Sequence, residues 1–219
     1  MPRLLLASAS PARLAILRRA GVEPLVRTSG VDEEAELGTA TQQHGELAPD
    51  QAALILARAK AEAVATQRRA ESQHDVEADD RGVDDAVIIL GCDSVLEFAG
   101  QAWGKPGTIE RARERWLQMS GRRAVLHTGH WLIDENGDRM VGATASTEVE
   151  FASVSSAEID AYVATQEPLN VAGGFTIDGL GGWFIERISG DHHAVVGLSL
   201  PLVRKLLADI DIAVADLWG

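Results

Sequence analysis

Apolar residues fall in short runs separated by polar stretches, and their period changes from run to run. Arg3 to Ala7 is a brief apolar run that predicts a first strand. Ser10 is a good N-cap, Pro11 sits where a first-turn proline is tolerated, and Gly21 supplies a stop after Arg18 and Arg19, so a helix is expected between them. Pro24 to Ser29 reads as a second strand running into Gly30-Val31-Asp32-Glu33-Glu34. From Asp50, a candidate cap, to about Gln67, Leu54, Ala57, Ala61 and Val64 recur at helical spacing, and Lys60 lies among them. Residues 68–86 have no apolar period and many acids, which predicts a mobile acidic insertion. Val87 to Gly91 is the most apolar run. It reads as a strand buried on both faces, with Cys92-Asp93-Ser94 at its C-terminal end, where α/β sheets place their ligands.

Beyond a turn at Gly100, Thr108 is expected to cap a helix ending at Gly121. Two long strands flank Asn136-Gly137, a strong hairpin signal, and Ser155-x-x-Glu158 is a capping box for a helix to about Thr165. The glycine-rich stretch Gly173 to Gly182 leads into a strand from Trp183 to Ile188, and Leu198 to Ile210 is expected to close the chain as a helix. Strands alternating with helices, one hairpin among them, predict an α/β fold with a mixed, twisted central sheet flanked by helices. At 219 residues a single domain over 1–219 is expected. No apolar run approaches the ~18 residues of a membrane span, and Leu4 to Ala7 is well short of the ~7–15 of a secretory core, so a cytoplasmic protein with no membrane partner is expected.

Charge narrows the partners. Twenty basic residues against 33 acidic ones leave a net charge of −13, the wrong sign for gripping a nucleic-acid polymer through its phosphates. The cations are not spread evenly, however. Residues 1–30 hold five basic and one acidic side chain, 51–70 four and one, and 101–125 six and two, so three segments stay positive in an acidic protein. One cysteine, Cys92, excludes an intrachain disulfide and a cysteine-based zinc site.

Several motifs fail. Gly100-Gln-Ala-Trp-Gly-Lys105 is one residue short of a phosphate-binding P-loop and is followed by Pro106, and Gly179 to Gly182 lacks the full dinucleotide fingerprint. Cys92 paired with His127, His130, His192 or His193 would make a nucleophile, but a lone cysteine in an apolar strand reads as a small hydrophobe; His192-His193 reads as a loop tip. What remains is Ser8, Ser10 and Arg13 around a helix N-terminus, which favours an anion, together with Asp32, Glu33, Glu34, Lys60, Asp93 and Lys105. Singly, Lys60 reads as a solvated helix lysine and Glu33 and Arg13 as surface charges. Asp93 must find a partner, a metal or water. Together they suit a triphosphate, which needs cations and N–H groups on its oxygens, carboxylates to hold Mg2+ or Mn2+, and a carboxylate to activate water.

These residues also carry a resemblance. S-A-S-P-A-R from Ser8, V-D-E-E from Val31, L-A-R-A-K-A from Leu56, G-C-D-S-V from Gly91, G-K-P from Gly104, M-S-G from Met119, H-T-G from His127, A-G-G-F-T-I-D-G-L-G-G from Ala172 and G-D-x-x-x-V-V-G-L from Gly190 occur in the order seen in the Maf family, which the chain resembles over nearly its whole length apart from about 68–86. The resemblance implies a cytoplasmic nucleoside triphosphate pyrophosphatase in two lobes, with a fold like that of the inosine triphosphate pyrophosphatases. Such an enzyme cleaves between the α- and β-phosphates with a divalent metal. It implies Asp93 as proton acceptor, Glu33 as a second carboxylate, both as metal ligands, and Ser8, Ser10, Arg13, Lys60 and Lys105 as triphosphate binders. Ala12, Ser94 and Asp178 depart from the pattern of pyrimidine-specific members where base selection is expected, so the base, canonical or modified, stays open. Family members are associated with septum formation, which keeps a second reading, a non-catalytic nucleotide-sensing regulator of cell division. Homodimers are common among relatives, and no patch in the sequence singles out an interface.

Overall fold

A computed structural model describes residues 2–74, 87–135 and 139–218. The described strands are β1 (Arg3–Leu6), β2 (Leu25–Val26), β3 (Val87–Phe98), β4 (Gln101–Trp103), β5 (Arg123–Asp134), β6 (Arg139–Phe151) and β7 (Ile185–Ser189). They form one sheet in the order β2-β1-β3-β5-β6-β7, with β4 paired to β3. β1 runs parallel to β2 and β3, and every other pairing is antiparallel, so the sheet is mixed as expected. The helices are α1 (Pro11–Arg19), α2 (Glu33–His44), α3 (Pro49–His74), α4 (Ile109–Met119), α5 (Ser156–Ala164), α6 (His192–Val196) and α7 (Leu200–Asp209).

Alternation along the strands distributes three apolar clusters. Ile88, Leu90 and Cys92 of β3 face α1 and α7, burying Leu17, Leu206 and Leu207. Val87 and Ile89 face the other way, onto Ala61, Val64 and Ala65 of α3. Further along β3, Leu96 and Phe98 join Trp116 of α4, Phe151 of β6 and Tyr162 of α5 in a third cluster at the far end of the sheet. One sheet thus serves two halves, each with its own aromatic or aliphatic packing.

Four elements differ from the sequence expectation. β3 does not stop at Gly91; its antiparallel pairing with β5 continues to Glu97 opposite Val125, which puts Asp93 inside a strand. The stretch after Asp32 is a helix, with Asp32 as its N-cap and Glu33, Glu34 and Glu36 in the first turn, where carboxylates favour the helix dipole. Only Ala40 of α2 is buried, so no apolar period marks it. α3 runs to His74, held by ion pairs from Arg68 to Glu135 at 2.9 Å and from Glu71 to Arg27 at 2.8 Å. The expected insertion therefore overlaps this helix at 68–74, and its remainder, like Asn136-Gly137, lies outside the described residues. Finally, His192-His193 is no loop tip but the first turn of α6, capped by Asp191.

Candidate functional site

The site forms where β3 outlives its parallel neighbour. β1 pairs with β3 only as far as Leu6 opposite Leu90, and a last bond from Ala7 N–H to Leu90 C=O, 2.9 Å, ends the ladder. The chain then turns through Ser8–Ser10 into α1, whose cap is the Ser10 hydroxyl accepting from Arg13 N–H at 3.4 Å. Asp93, three residues past Leu90, lies beyond that last pairing, where only β5 among the described strands is beside it.

α3 brings a lysine to it. Ala53, Leu56, Ala57, Ala61 and Val64 form the buried stripe of that helix, and Lys60 falls on the same stripe, with 9% of its surface exposed. The helix can lie this close because two strand residues under it lack a side chain. A Cβ on Gly91 would sit 2.1 Å from Ala57 C=O, and one on Gly129 would sit 2.3 Å from Ala53 C=O. Lys60 Nζ then donates to Asp93 Oδ1 at 2.5 Å and meets Glu33 Oε1, delivered by the first turn of α2, at 2.7 Å.

On the opposite face of β3, Arg13 is almost wholly committed to the protein. Its Nε donates to Gly197 C=O (2.8 Å), Nη1 to Ser8 Oγ (3.0 Å) and Cys92 C=O (2.8 Å), and Nη2 to Ser94 Oγ (3.2 Å). Of its five N–H groups, one remains for anything else. Ser94 is further tied to Thr128 Oγ1 at 3.0 Å. Lys105, by contrast, is an exposed side chain on a fixed loop, since Gly104 C=O accepts from Arg115 Nη1 at 2.6 Å and from Gly173 N–H at 3.2 Å.

Ser8, Ser10, Arg13, Glu33, Lys60, Asp93 and Lys105 all line one cleft of about 550 Å3 between the two halves. Residues from segment 170–178 form another wall, and Thr28–Val31, Val195–Gly197, Ser94 and Leu126 add to the lining. Asp32 caps α2 and Glu34 is exposed; neither lines the cleft. Of segment 170–178, the resemblance marked only Asp178, as a place where base selection is expected; Val171, Phe175 and Ile177 were not named as site residues, because nothing in their spacing marks them. Read singly, Lys60 is a solvated helix lysine and Arg13 a surface charge, but both are buried; for Lys60 the signal was its place three residues after Ala57, on the apolar face.

Burial and charge separate the two carboxylates. Burial pushes the Asp93 carboxyl up, more than Lys60 and Arg13 pull it down. Burial also raises Glu33, but its bond to Lys60, with the further charges of Lys60, Lys105 and Arg13, together leaves it below the ordinary value. Two acids on one lysine are thereby set apart, the arrangement that lets one exchange protons while the other stays charged. The Cys92 thiol is fully buried and pushed up to about 12, chiefly by that burial, so it is no nucleophile. As for a metal, Asp93 and Glu33 present hard oxygens that close on the same cation, and two carboxylates completed by substrate oxygens and water are a donor set that Mg2+ accepts.

Residues 3–210 match the family model described as Maf-like protein. A nucleoside triphosphate pyrophosphatase of Rhodococcus opacus is 51% identical over 222 residues, covering 100% of this chain and 97% of the relative. One from Salinispora tropica is 51% identical over 217 residues, covering 99% and 88%. One from Streptomyces coelicolor is 47% identical, covering 99% and 95%.

Proposed function

Because the chain belongs to the Maf-like protein family, we propose that it is a hydrolase that converts nucleoside triphosphates to the monophosphate and pyrophosphate. The observation that carries this reading is the buried lysine held between two carboxylates, Asp93 at 2.5 Å and Glu33 at 2.7 Å, in a cleft whose rim bears a free-standing Lys105. The full-length similarity to proteins named nucleoside triphosphate pyrophosphatase supports it.

In this reading the phosphates lie against the Ser8–Arg13 turn and the start of α1, where backbone donors and the helix dipole favour anions. Lys60 passes from its carboxylates to phosphate oxygen as substrate enters, which releases Asp93. Asp93, raised by burial, accepts a proton from the water that attacks the α-phosphorus. Glu33 keeps its charge, and Lys105 neutralises the departing pyrophosphate. Asp93 and Glu33 would hold a divalent cation such as Mg2+ or Mn2+, which when bound neutralises charge on the phosphate oxygens. Arg13 touches substrate with at most one N–H; its larger part is to hold Ser8 and Ser94 in place. With a soluble nucleotide as substrate and its one thiol buried, the protein is assigned to the cytoplasm, and its net charge of −13 to small nucleotides rather than polymers.

The test is pyrophosphate release from a panel of nucleoside triphosphates, canonical and base-modified, with Mg2+ or Mn2+. Asp93→Asn is nearly isosteric, and it is expected to lower kcat by at least ~100-fold, the scale of a lost general base, while leaving the circular dichroism spectrum unchanged. Near-normal turnover by that variant would remove Asp93 from the chemistry. Nucleotide binding by the wild type with no turnover on any substrate would replace the enzyme with a nucleotide-sensing regulator.

A further inference from the structure

Outside the catalytic cluster, one carboxylate gathers four hydrogen bonds. Glu167 follows α5, and its Oε1 accepts from Thr176 Oγ1 at 2.5 Å, Tyr162 Oη at 3.0 Å and Gly181 N–H at 3.0 Å, while Oε2 accepts from Leu180 N–H at 3.0 Å. Burial raises its pKa, but these bonds outweigh burial and leave it below the ordinary value, so the group is charged at neutral pH. The loop is shaped around it. A Cβ on Gly179 would lie 2.8 Å from Glu167 Oε2, and one on Gly181 would lie 2.5 Å from Tyr162 Oη.

What this clamp fixes is a wall of the cleft. Upstream, the segment is anchored by Trp116 Nε1 donating to Gly174 C=O at 2.7 Å and by Gly173, which packs so tightly on Leu96 that a Cβ would lie 2.6 Å from its side chain. Downstream, Glu167 holds Thr176, Leu180 and Gly181. Ile177 and Asp178, which both line the cleft, lie between Thr176 and Leu180, two of the residues that Glu167 holds. This wall suits the base and not the phosphates. It carries no cation, it offers Val171, Phe175 and Ile177 to a ring face, and its one charge, Asp178, repels phosphate but accepts from the N–H groups of a base. All the cations stand on the other elements.

We propose that Glu167 is a positioning residue that sets which base the cleft accepts, by fixing Ile177 and Asp178 through Thr176 and the 180–181 backbone. The proposal rests on the nucleotide reading above. Glutamine cannot substitute, because its single carbonyl oxygen would have to replace two acceptor atoms while its amide faced a backbone N–H.

The experiment measures kcat and KM for four nucleoside triphosphates with Glu167→Gln, Glu167→Ala, Thr176→Val and Thr176→Ser. KM for the best substrate is expected to rise by ~10-fold or more in the first three while kcat stays within ~3-fold, the signature of lost binding contacts. The ratio of best to worst base should shrink by a similar factor, and Thr176→Ser, which keeps the hydroxyl, should restore it. Unchanged base ratios, or kcat falling equally for every base, would overturn the proposal. If Glu167→Ala fails to fold, the two Thr176 variants carry the test. Equilibrium binding of non-hydrolysable α,β-methylene analogues reports the same ratios without turnover. A wild type that binds these analogues but hydrolyses nothing therefore defeats the pyrophosphatase reading alone, whereas equal ratios in variant and wild type defeat only the role of Glu167.

Discussion

Lys60 does two things that pull against each other. It occupies a core position on α3, and it carries a charge that, among the described residues, Asp93 and Glu33 compensate. Lysine to methionine keeps the stem and removes the charge, so Lys60→Met leaves two carboxylates facing each other in a poorly solvated cleft. Removing one partner of a buried pair costs ~3–5 kcal/mol; because the Glu33 side chain keeps 40% of its exposure, a loss near the lower bound, ~3 kcal/mol, is expected. Urea denaturation at pH 7 measures it. Millimolar Mg2+ is expected to recover part of that loss in the variant and little in the wild type, where the ammonium already serves both acids. No recovery would argue against Asp93 and Glu33 as a shared cation site. Arg13 shows the same economy in another form: a single guanidinium joins Ser8, the Cys92 backbone, Ser94 and Gly197, and so links the turn after β1, β3 and the residue that follows α6.

At the scale of elements, the site depends on how closely α3 lies on the sheet, and Gly91 sets that distance. Gly91→Ala puts a methyl 2.1 Å from Ala57 C=O, a backbone atom that cannot rotate away. The helix must lift, at a cost of ~1–3 kcal/mol for overpacking, and Lys60 must move with it, so stability and kcat/KM should fall together. Gly104→Ala, with open space around its Cβ, is the control that should change stability little. If Gly91→Ala leaves KM and the melting temperature untouched, the close approach is not what places Lys60. The same geometry explains what was legible in the sequence. Ala-rich spacing in α3, the Ser10-Pro11 start of α1 and the Ser155–Glu158 box are local signals, and each appears where expected. α2 was missed because an exposed helix shows no period. The end of β3 was misplaced because it is decided by β5, about 30 residues away, and not by the polarity of Cys92-Asp93-Ser94. The wall 170–178 had no period at all; its course is set by the Trp116 and Glu167 anchors, which are tertiary.

For the whole molecule, one face of the sheet is sensitive to acid through a buried histidine. His130 of β5 is wholly buried against α7, where its Nε2 accepts from Ser199 N–H at 2.8 Å. That bond needs an unprotonated Nε2. Burial, and secondarily the charge of Arg13, push the imidazole down from 6.5 to about 4. The unfolded chain therefore takes up a proton before the folded one does. Above pH 6.5 the contribution is complete; it declines as pH falls and is lost once the folded group protonates near 4, a change on the order of 3 kcal/mol. The total charge shrinks over the same range, since the isoelectric point is about 4.8, so acid weakens both the attachment of α7 and the mutual repulsion that keeps copies apart. His130→Gln offers an acceptor that does not titrate. Denaturation midpoints between pH 7 and pH 4.5 should fall less in that variant than in the wild type. An identical slope would assign the acid sensitivity to the carboxylates and leave the link between β5 and α7 indifferent to pH.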